Sequence, residues 1–329
     1  MRRFGWLASA ALAAALLCGS GGDAGAQAKV KLRLGHVTSL NAPAGQGSQK
    51  FAATAKEASN GEVEVELFPN GQLGGELDMV SQIRLGTLDL AMIGSGIMAA
   101  VEPTFSVTEL PFIWKSGDSA WEVLNGPIGR KILDRLEPKG IQGLAWGIWG
   151  YRGFLINGRA INAPEDLKGL KIRVIENQIY VQMLKAFGAN PVPMAWPEVY
   201  TGLQQGTING VETNYAGMWD AKQYEVARNL AVTDHIYTAT VYLMNLPKFK
   251  SLSPAHQQVI LTAARAAGEE MRRAADKLNA DAIVNMEKAG VAVTRPDPAP
   301  FIEKVQPLHK QFASVVGEEL MQQVKDAQK

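Results

Sequence analysis

Cysteine is all but missing from this 329-residue chain. Its single example, Cys18, falls inside an N-terminal segment that reads as an export leader. Met1-Arg2-Arg3 is a positive start, Phe4–Leu17 is rich in Ala and Leu yet short for a bilayer span, and Ala26-Gln27-Ala28 has the small-residue cleavage pattern. A lipid anchor on Cys18 is disfavoured because Leu17 stands where a small residue is wanted, and Arg2-Arg3 alone does not make a twin-arginine signal. Cleavage after Ala28 takes 28 of the 329 residues and leaves 301. That mature chain has no cysteine, which excludes disulfides and thiol chemistry. Net charge is missing too. The leader carries Arg2, Arg3 and Asp23, so 33 basic and 32 acidic residues become 31 of each. A neutral chain lacks the basic stripe that nucleic acid requires. No later apolar run reaches spanning length. These absences predict an exported, periplasmic protein held together by its core, large enough for two lobes.

Catalytic signatures are equally scarce. The histidines, His36, His235, His256 and His309, are scattered, with no pair at i+4 and no Cys/His cluster, so no metal site is expected. His256 and His309 fall in polar helical contexts and are expected to be solvated. There is no GxSxG elbow, and no spacing of acidic residues singles out an acid–base pair; no catalytic residue and no cofactor are assigned. Gly94-Ser95-Gly96-Ile97-Met98-Ala99 fits a loose dinucleotide fingerprint, but Pro103 cuts the helix that should follow and no acidic residue closes a second strand. A tight strand-to-helix loop at a lobe edge fits better.

What is present is an α/β rhythm. Val30–Val37 alternates as a strand, Ala44–Ser59 has helical spacing, and Glu62–Phe68 places Val63, Val65 and Leu67 on one face and glutamates on the other. Glu76–Leu85 is amphipathic and ends at Gly86, and Leu88–Ile93 reads as a buried strand. The second half repeats the rhythm with strands over Leu144–Asn157, Lys171–Ile175 and Ile208–Glu212, and helices over Ile179–Phe187 and Pro197–Gln205. Ser253-Pro254 caps a helix that runs to Ala289, long enough to tie two lobes together. His36 ends the first strand, where the cleft of an open α/β sheet lies; it is either a cleft residue or a surface or capping histidine. Trp149 and Trp196 lie at element ends, where loops line clefts, although a tryptophan is more often core.

The segment GLKIRVIEN, residues 169–177, sets a guanidinium in the middle of a short apolar strand. Either the strand is half exposed, or Arg173 looks into a cleft and meets an anion there. The segments APEDLKGLKIRVIEN, GANPVPMAWPEVYTGLQQGTINGVETN and YEVARNLAVTDHIY resemble the TRAP-transporter solute-binding proteins of the C4-dicarboxylate type. So do LRLGHV, LFPNGQLGGELDMVSQIRLGTLDLAM and ELPFIW. The likeness covers nearly the whole mature chain.

The resemblance implies a two-lobed clamshell with mainly parallel sheets, several inter-lobe crossings and a long bridging helix. The lobes expected are residues 29–149 with about 239–275, and residues 150–238 with about 276–329. It implies a receptor, not an enzyme, that binds a small organic acid and delivers it to the small and large membrane subunits of a sodium-driven permease. Two other readings are a carboxylate-binding protein of an ATP-driven or sensory system and an exported α/β enzyme. The ligand residues implied are Arg173 on the carboxylate, Arg152 as a second arginine, Asn214 as a hydrogen-bonding group and Trp196 as a packing surface. Trp149, His36, Ser95 and Glu212 are candidates beside them, Glu212 either to orient an arginine or to accept from a hydroxyl. The chain departs from the family pattern in three places. Gly94, followed by Ser95, stands where some sugar-acid binders have an acidic residue, His36-Val37 replaces an asparagine, and Trp196 is larger than the frequent phenylalanine. These departures favour a compact organic acid with an aromatic or hydroxyl-bearing body over a nine-carbon sugar acid. A monomer is expected, although Phe301–Val324 is amphipathic enough to pair with a second copy.

Overall fold

The structure is a computed structural model that describes residues 29–328. The expected leader, its cleavage site and Cys18 lie outside the described residues. In chain order, β1 (Val30–Gly35), α1 (Pro43–Ala58), β2 (Val63–Phe68), α2 (Glu76–Leu85) and β3 (Leu90–Gly94) follow the rhythm of the sequence. Proline opens α1, and α2 stops at Gly86, whose φ of 75° is left-handed. Next come α3 (Ser95–Met98), a 3-10 helix over Pro103–Glu109, α4 (Gly117–Asn125), α5 (Pro127–Asp134) and β4 (Ile141–Ile156). The second half holds β5 (Lys171–Val174), α6 (Gln178–Ala186), β6 (Asn190–Pro193), α7 (Val199–Gln204), β7 (Gly210–Asn214) and α8 (Tyr215–Asp220). The chain closes with β8 (Asn229–Ala231), β9 (Tyr237–Asn245), α9 (Leu246–Ser251), α10 (Pro254–Lys288), β10 (Ala292–Thr294), α11 (Pro298–Val316) and α12 (Glu318–Asp326).

The strands make two α/β lobes. In one, β1 lies between β2 and β3 and is parallel to both. In the other, β5 lies between β6 and β7, again parallel. Two antiparallel strands join them. β9 pairs with β3 on one side and with Ile141–Tyr151 of β4 on the other, and Arg152–Ile156 of β4 pairs with β7. The long β4 therefore passes from one sheet into the next, and its register slips at Gly143/Ala145 and Ile148/Gly150. Gly150 has φ 100°, and a side chain there would run into Asn279. The same Asn279 donates to the Trp149 carbonyl (2.7 Å) and accepts from Ala216 N (2.9 Å), pinning the passage to α10 and α8.

At 35 residues, about 52 Å, α10 packs on α1, β4 and α8 and so spans both lobes. Its buried small residues Ala263, Ala264, Ala267 and Gly268 bring its backbone close to α1 and β4. A Cβ on Gly268 would overlap the Trp146 carbonyl oxygen, backbone that cannot rotate away. Gly268→Ala is expected to cost about 1–3 kcal/mol, read as a lowered melting temperature by calorimetry.

Several expectations need correction. The helix expected over Pro197–Gln205 is a 3-10 turn, Trp196–Glu198, followed by the shorter α7, because Pro197 sits in the first turn. The strand expected over Ile208–Glu212 ends two residues later, so Asn214 closes β7 and caps α8. The amphipathic stretch Phe301–Val324, for which no element was expected, falls in α11 and α12, which meet at Gly317, φ 92°. His256 is buried, not solvated: it lies at the start of α10 with Nε2 2.9 Å from Glu62 Oε2. His309 is half-buried on the Pro111 carbonyl at 2.7 Å. Among the described residues, no helix is long and apolar enough to cross a membrane.

Candidate functional site

Parallel strands deliver their C-terminal ends to one side of each sheet, and loops there form the natural crevice. The ends of β1, β5 and β7, with the start of α2 and the middle of β4, meet between the lobes. They enclose a cavity of about 30 Å³, lined among others by Thr38, Glu76, Trp149, Arg152, Arg173 and Trp196. The lobes touch around it. Ser39 donates to Asp220 through Oγ (2.5 Å) and N (3.3 Å), and Asn177 Nδ2 donates to the Gly96 carbonyl (2.7 Å).

Arg173 is the central cation. It alternates with Ile172 and Val174, as the sequence reading requires, yet every residue from Ile172 to Ile175 is buried, since β5 is covered on both faces. The Arg173 side chain is 2% exposed. Its Nε donates to the Met194 carbonyl (2.9 Å) and its guanidinium lies 5.5 Å from the Trp196 ring centre. Neither Nη atom has a protein acceptor among the described residues. Burial, helped by the positive charge of Arg152, lowers its pKa to about 10. The group is a desolvated cation without an anion of its own.

Arg152 is different. It is 1% exposed and sits opposite Asn214 on β7. Its Nε bonds Glu212 Oε1, and its Nη2 bonds Glu212 Oε2 (2.8 Å) and the Glu212 carbonyl (3.0 Å). Its guanidinium stacks 4.9 Å from the Tyr180 ring centre, and the Tyr180 hydroxyl donates to Glu109 of the other lobe. Burial works against both charges of the pair, but their attraction wins. Glu212 falls to about 2 with further help from His235, and Arg152 holds its proton more firmly than a free arginine. His235 Nε2 lies 3.1 Å from Glu212 Oε1 and its Nδ1 lies 2.7 Å from the Thr233 hydroxyl. Glu212 thus holds the plane of the Arg152 guanidinium through both of its carboxylate oxygens.

Five of the eight sequence candidates line the cavity: Arg173, Arg152, Asn214, Trp196 and Trp149. Asn214 Oδ1 accepts from Gly217 N (2.8 Å), which leaves its Nδ2 without a protein acceptor among the described residues. Trp149 Nε1 is also without a hydrogen-bond partner among the described residues. Three candidates do not reach the cavity wall. Glu212 is fully buried beneath Arg152. His36 is fully buried behind the wall formed by Val37 and Thr38, and burial lowers its pKa to about 4. Ser95 is fully buried against Glu109 and donates to the Ala239 carbonyl (2.8 Å).

The sequence reading missed Glu76. It opens α2, is 7% exposed, and accepts from Gly94 N through Oε1 (2.6 Å). Burial raises its pKa to about 7, against the pull of the Gly94 N–H and of Arg173. The signal was there: Glu76 lies on the buried stripe of α2 with Met79, Val80 and Ile83, where a carboxylate is costly unless the site uses it. Gly94, which donates to Glu76, is also what admits the Trp149 ring beside it. A Cβ at Gly94 would stand 2.8 Å from the Trp149 ring and 3.4 Å from Glu76 Oε1.

Residues 34–315 match the model of bacterial extracellular solute-binding protein, family 7. The 2,3-diketo-L-gulonate-binding periplasmic protein of Escherichia coli is 36% identical over 262 residues, 80% of each chain. A TRAP periplasmic solute-binding protein from Bordetella bronchispeptica, with density assigned to pantoate, superposes with a TM-score of 0.89 at 32% identity, over 92% of this chain and 100% of that one. The sugar acid binding protein of Advenella mimigardefordensis in complex with galactonate gives 0.88 at 30% identity, over 91% and 97%.

Proposed function

The chain belongs to the TRAP-transporter solute-binding proteins, family 7 of the bacterial extracellular receptors, and from that premise we propose that it captures a small hydroxylated organic acid between its lobes, with Arg173 as the anchor. Family members are periplasmic receptors rather than enzymes, and they work with TRAP permease membrane subunits. The observation that carries the reading is the Arg173 guanidinium, desolvated, fixed in plane by Met194 and Trp196, and lacking any protein anion on its outer fork. Two parallel N–H groups match the two oxygens of one carboxylate. Asn214 Nδ2 supplies a further donor, Trp149 and Trp196 pack the ligand body, and Glu76 meets its hydroxyls. Pantoate and galactonate, named with the two structural neighbours, are both hydroxylated monocarboxylates, which favours the same class here.

A cavity of about 30 Å³ holds about two waters, so a ligand gains access only when the lobes part. Residues 29–149 with about 239–275 and residues 150–238 with about 276–329 act as the two bodies, with β4, β9 and α10 crossing between them. Ligand that touches both bodies favours the closed form, and the small and large membrane subunits of the permease recognise that form. The protein acts as a monomer without catalytic residues, cofactor or nucleic acid, and the leader over residues 1–28 sends it to the periplasm.

A thermal-shift screen of organic acids tests the reading. A ligand at a hundredfold over its Kd should stabilise the fold by about 2.7 kcal/mol. Hydroxylated carboxylates are expected to raise the melting temperature, and neutral sugars of the same size are not. Silence across all carboxylates would overturn the assignment.

A further inference from the structure

The charges around the cleft are not equivalent. Arg152 gives its Nε and Nη2 to both oxygens of Glu212 and to the Glu212 carbonyl, so its charge is balanced at hydrogen-bond distance. Arg173 alone is left as an uncompensated cation. Glu76 comes to the same cavity from the opposite lobe. Its Oε1 is held by Gly94 N, and its Oε2 has no protein partner among the described residues. The cleft thus offers one free positive fork and one carboxyl group facing it.

Resting on the carboxylate reading above, we propose that Glu76 makes the cleft selective for hydroxylated monocarboxylates and excludes dicarboxylates. A single carboxylate takes the Arg173 fork, and a hydroxyl on the far side of the ligand donates to Glu76. A second carboxylate in that place would confront Glu76 in a closed site of low dielectric, where like charges repel strongly. The groups that act on Glu76 are the Gly94 N–H from β3, Arg173 from β5, Glu176 just beyond β5 and Arg152 from β4. The cations are already engaged, one with Glu212 and the other with the ligand, so neither neutralises a second negative group beside Glu76. Protonation of Glu76 relieves the conflict. Because burial holds this carboxyl near 7, a dicarboxylate enters by taking up one proton, and its affinity rises as pH falls.

Calorimetric titration of the mature protein with matched acids decides the matter. Glycerate and tartronate, erythronate and meso-tartrate, and galactonate and galactarate differ only in a terminal CH₂OH replaced by a carboxylate. At pH 8 the best monocarboxylate is expected to bind at least about 100-fold tighter than its dicarboxylate twin, about 2.7 kcal/mol. Glu76→Gln should reduce that ratio to below about tenfold. In the wild type, lowering the pH from 8 to 7 should strengthen dicarboxylate binding by up to about tenfold with proton uptake, and Glu76→Gln should abolish this pH dependence. The wild-type pH series needs no variant to fold. A dicarboxylate that binds as tightly as its twin, or a ratio untouched by Glu76→Gln and by pH, overturns the selectivity while leaving the anchor in place. If no acid of any pair binds, or if Arg173→Ala binds them all like wild type, the carboxylate reading fails and takes this inference with it.

Discussion

Lysine in place of Arg173 is expected to weaken carboxylate binding by about 2–4 kcal/mol, roughly 30- to 1,000-fold, although the formal charge is unchanged. Three features of the site produce the loss. The Nε bond to the Met194 carbonyl and the stacking on Trp196 fix the plane of the fork before ligand arrives, and an ammonium group can use neither in that way. One point charge replaces two parallel N–H donors. The burial that lowers Arg173 to about 10 would act on a lysine as well, from a lower starting value, and erode its charge near neutral pH. Arg173→Ala should remove measurable binding. Its effect on the ligand-free fold should run the other way, with an unchanged or higher melting temperature, since a desolvated cation without an anion costs stability until ligand supplies one. Titration calorimetry and melting curves on the same samples separate these effects. Wild-type affinity in Arg173→Ala would refute the anchor assignment.

The place of Arg173 in the cavity wall was legible because a guanidinium interrupts an apolar alternation, a conflict within one short segment. The same local reasoning found β1, β2, α2 and α10, whose caps and periods are written in their own residues. It found less where partners decide. β9 is buried at every position and so shows no alternation, and the helices between Ser95 and Asp134 are short pieces set by what they pack against. His36 and Ser95 sit at the right strand ends, but which residue there reaches the cleft depends on how the chain bends beyond the strand. β1 ends at Gly35, and in the loop past it Val37 and Thr38 line the cavity while His36 is covered. Glu76 was hidden for the opposite reason. At the first turn of a helix a carboxylate looks like ordinary dipole compensation, and that reading masks its place on the apolar stripe of α2, which its burial against Gly94 confirms.

Glu212→Gln should produce the largest loss of stability, about 3–5 kcal/mol, as when one partner of a buried ion pair is removed. Arg152 is 1% exposed and Glu212 fully buried, so the amide would leave a guanidinium with no counter-charge and His235 with a changed partner. The pH dependence carries the sign of a depressed carboxyl. Glu212 in the folded protein titrates at about 2, against about 4.3 in an unfolded chain. Its contribution is present in full above the unfolded value and is lost as pH falls through the folded one. The wild type should therefore shed about 3 kcal/mol from this group between about pH 5 and pH 2, a window in which Glu212→Gln lacks that component, so the gap between the two narrows with acid. Denaturant titrations at pH 7 and pH 3 measure the first quantity and roughly half of the second. The double variant Arg152→Met/Glu212→Gln should recover much of the stability lost in the single one, because the pair is costly to break and cheap to delete as a unit. A single variant within about 1 kcal/mol of wild type at pH 7 would mean that Arg152 is neutralised by something other than Glu212. Both the free charge assigned to Arg173 and the exclusion of dicarboxylates by Glu76 would then need a different balance of charges in the cleft.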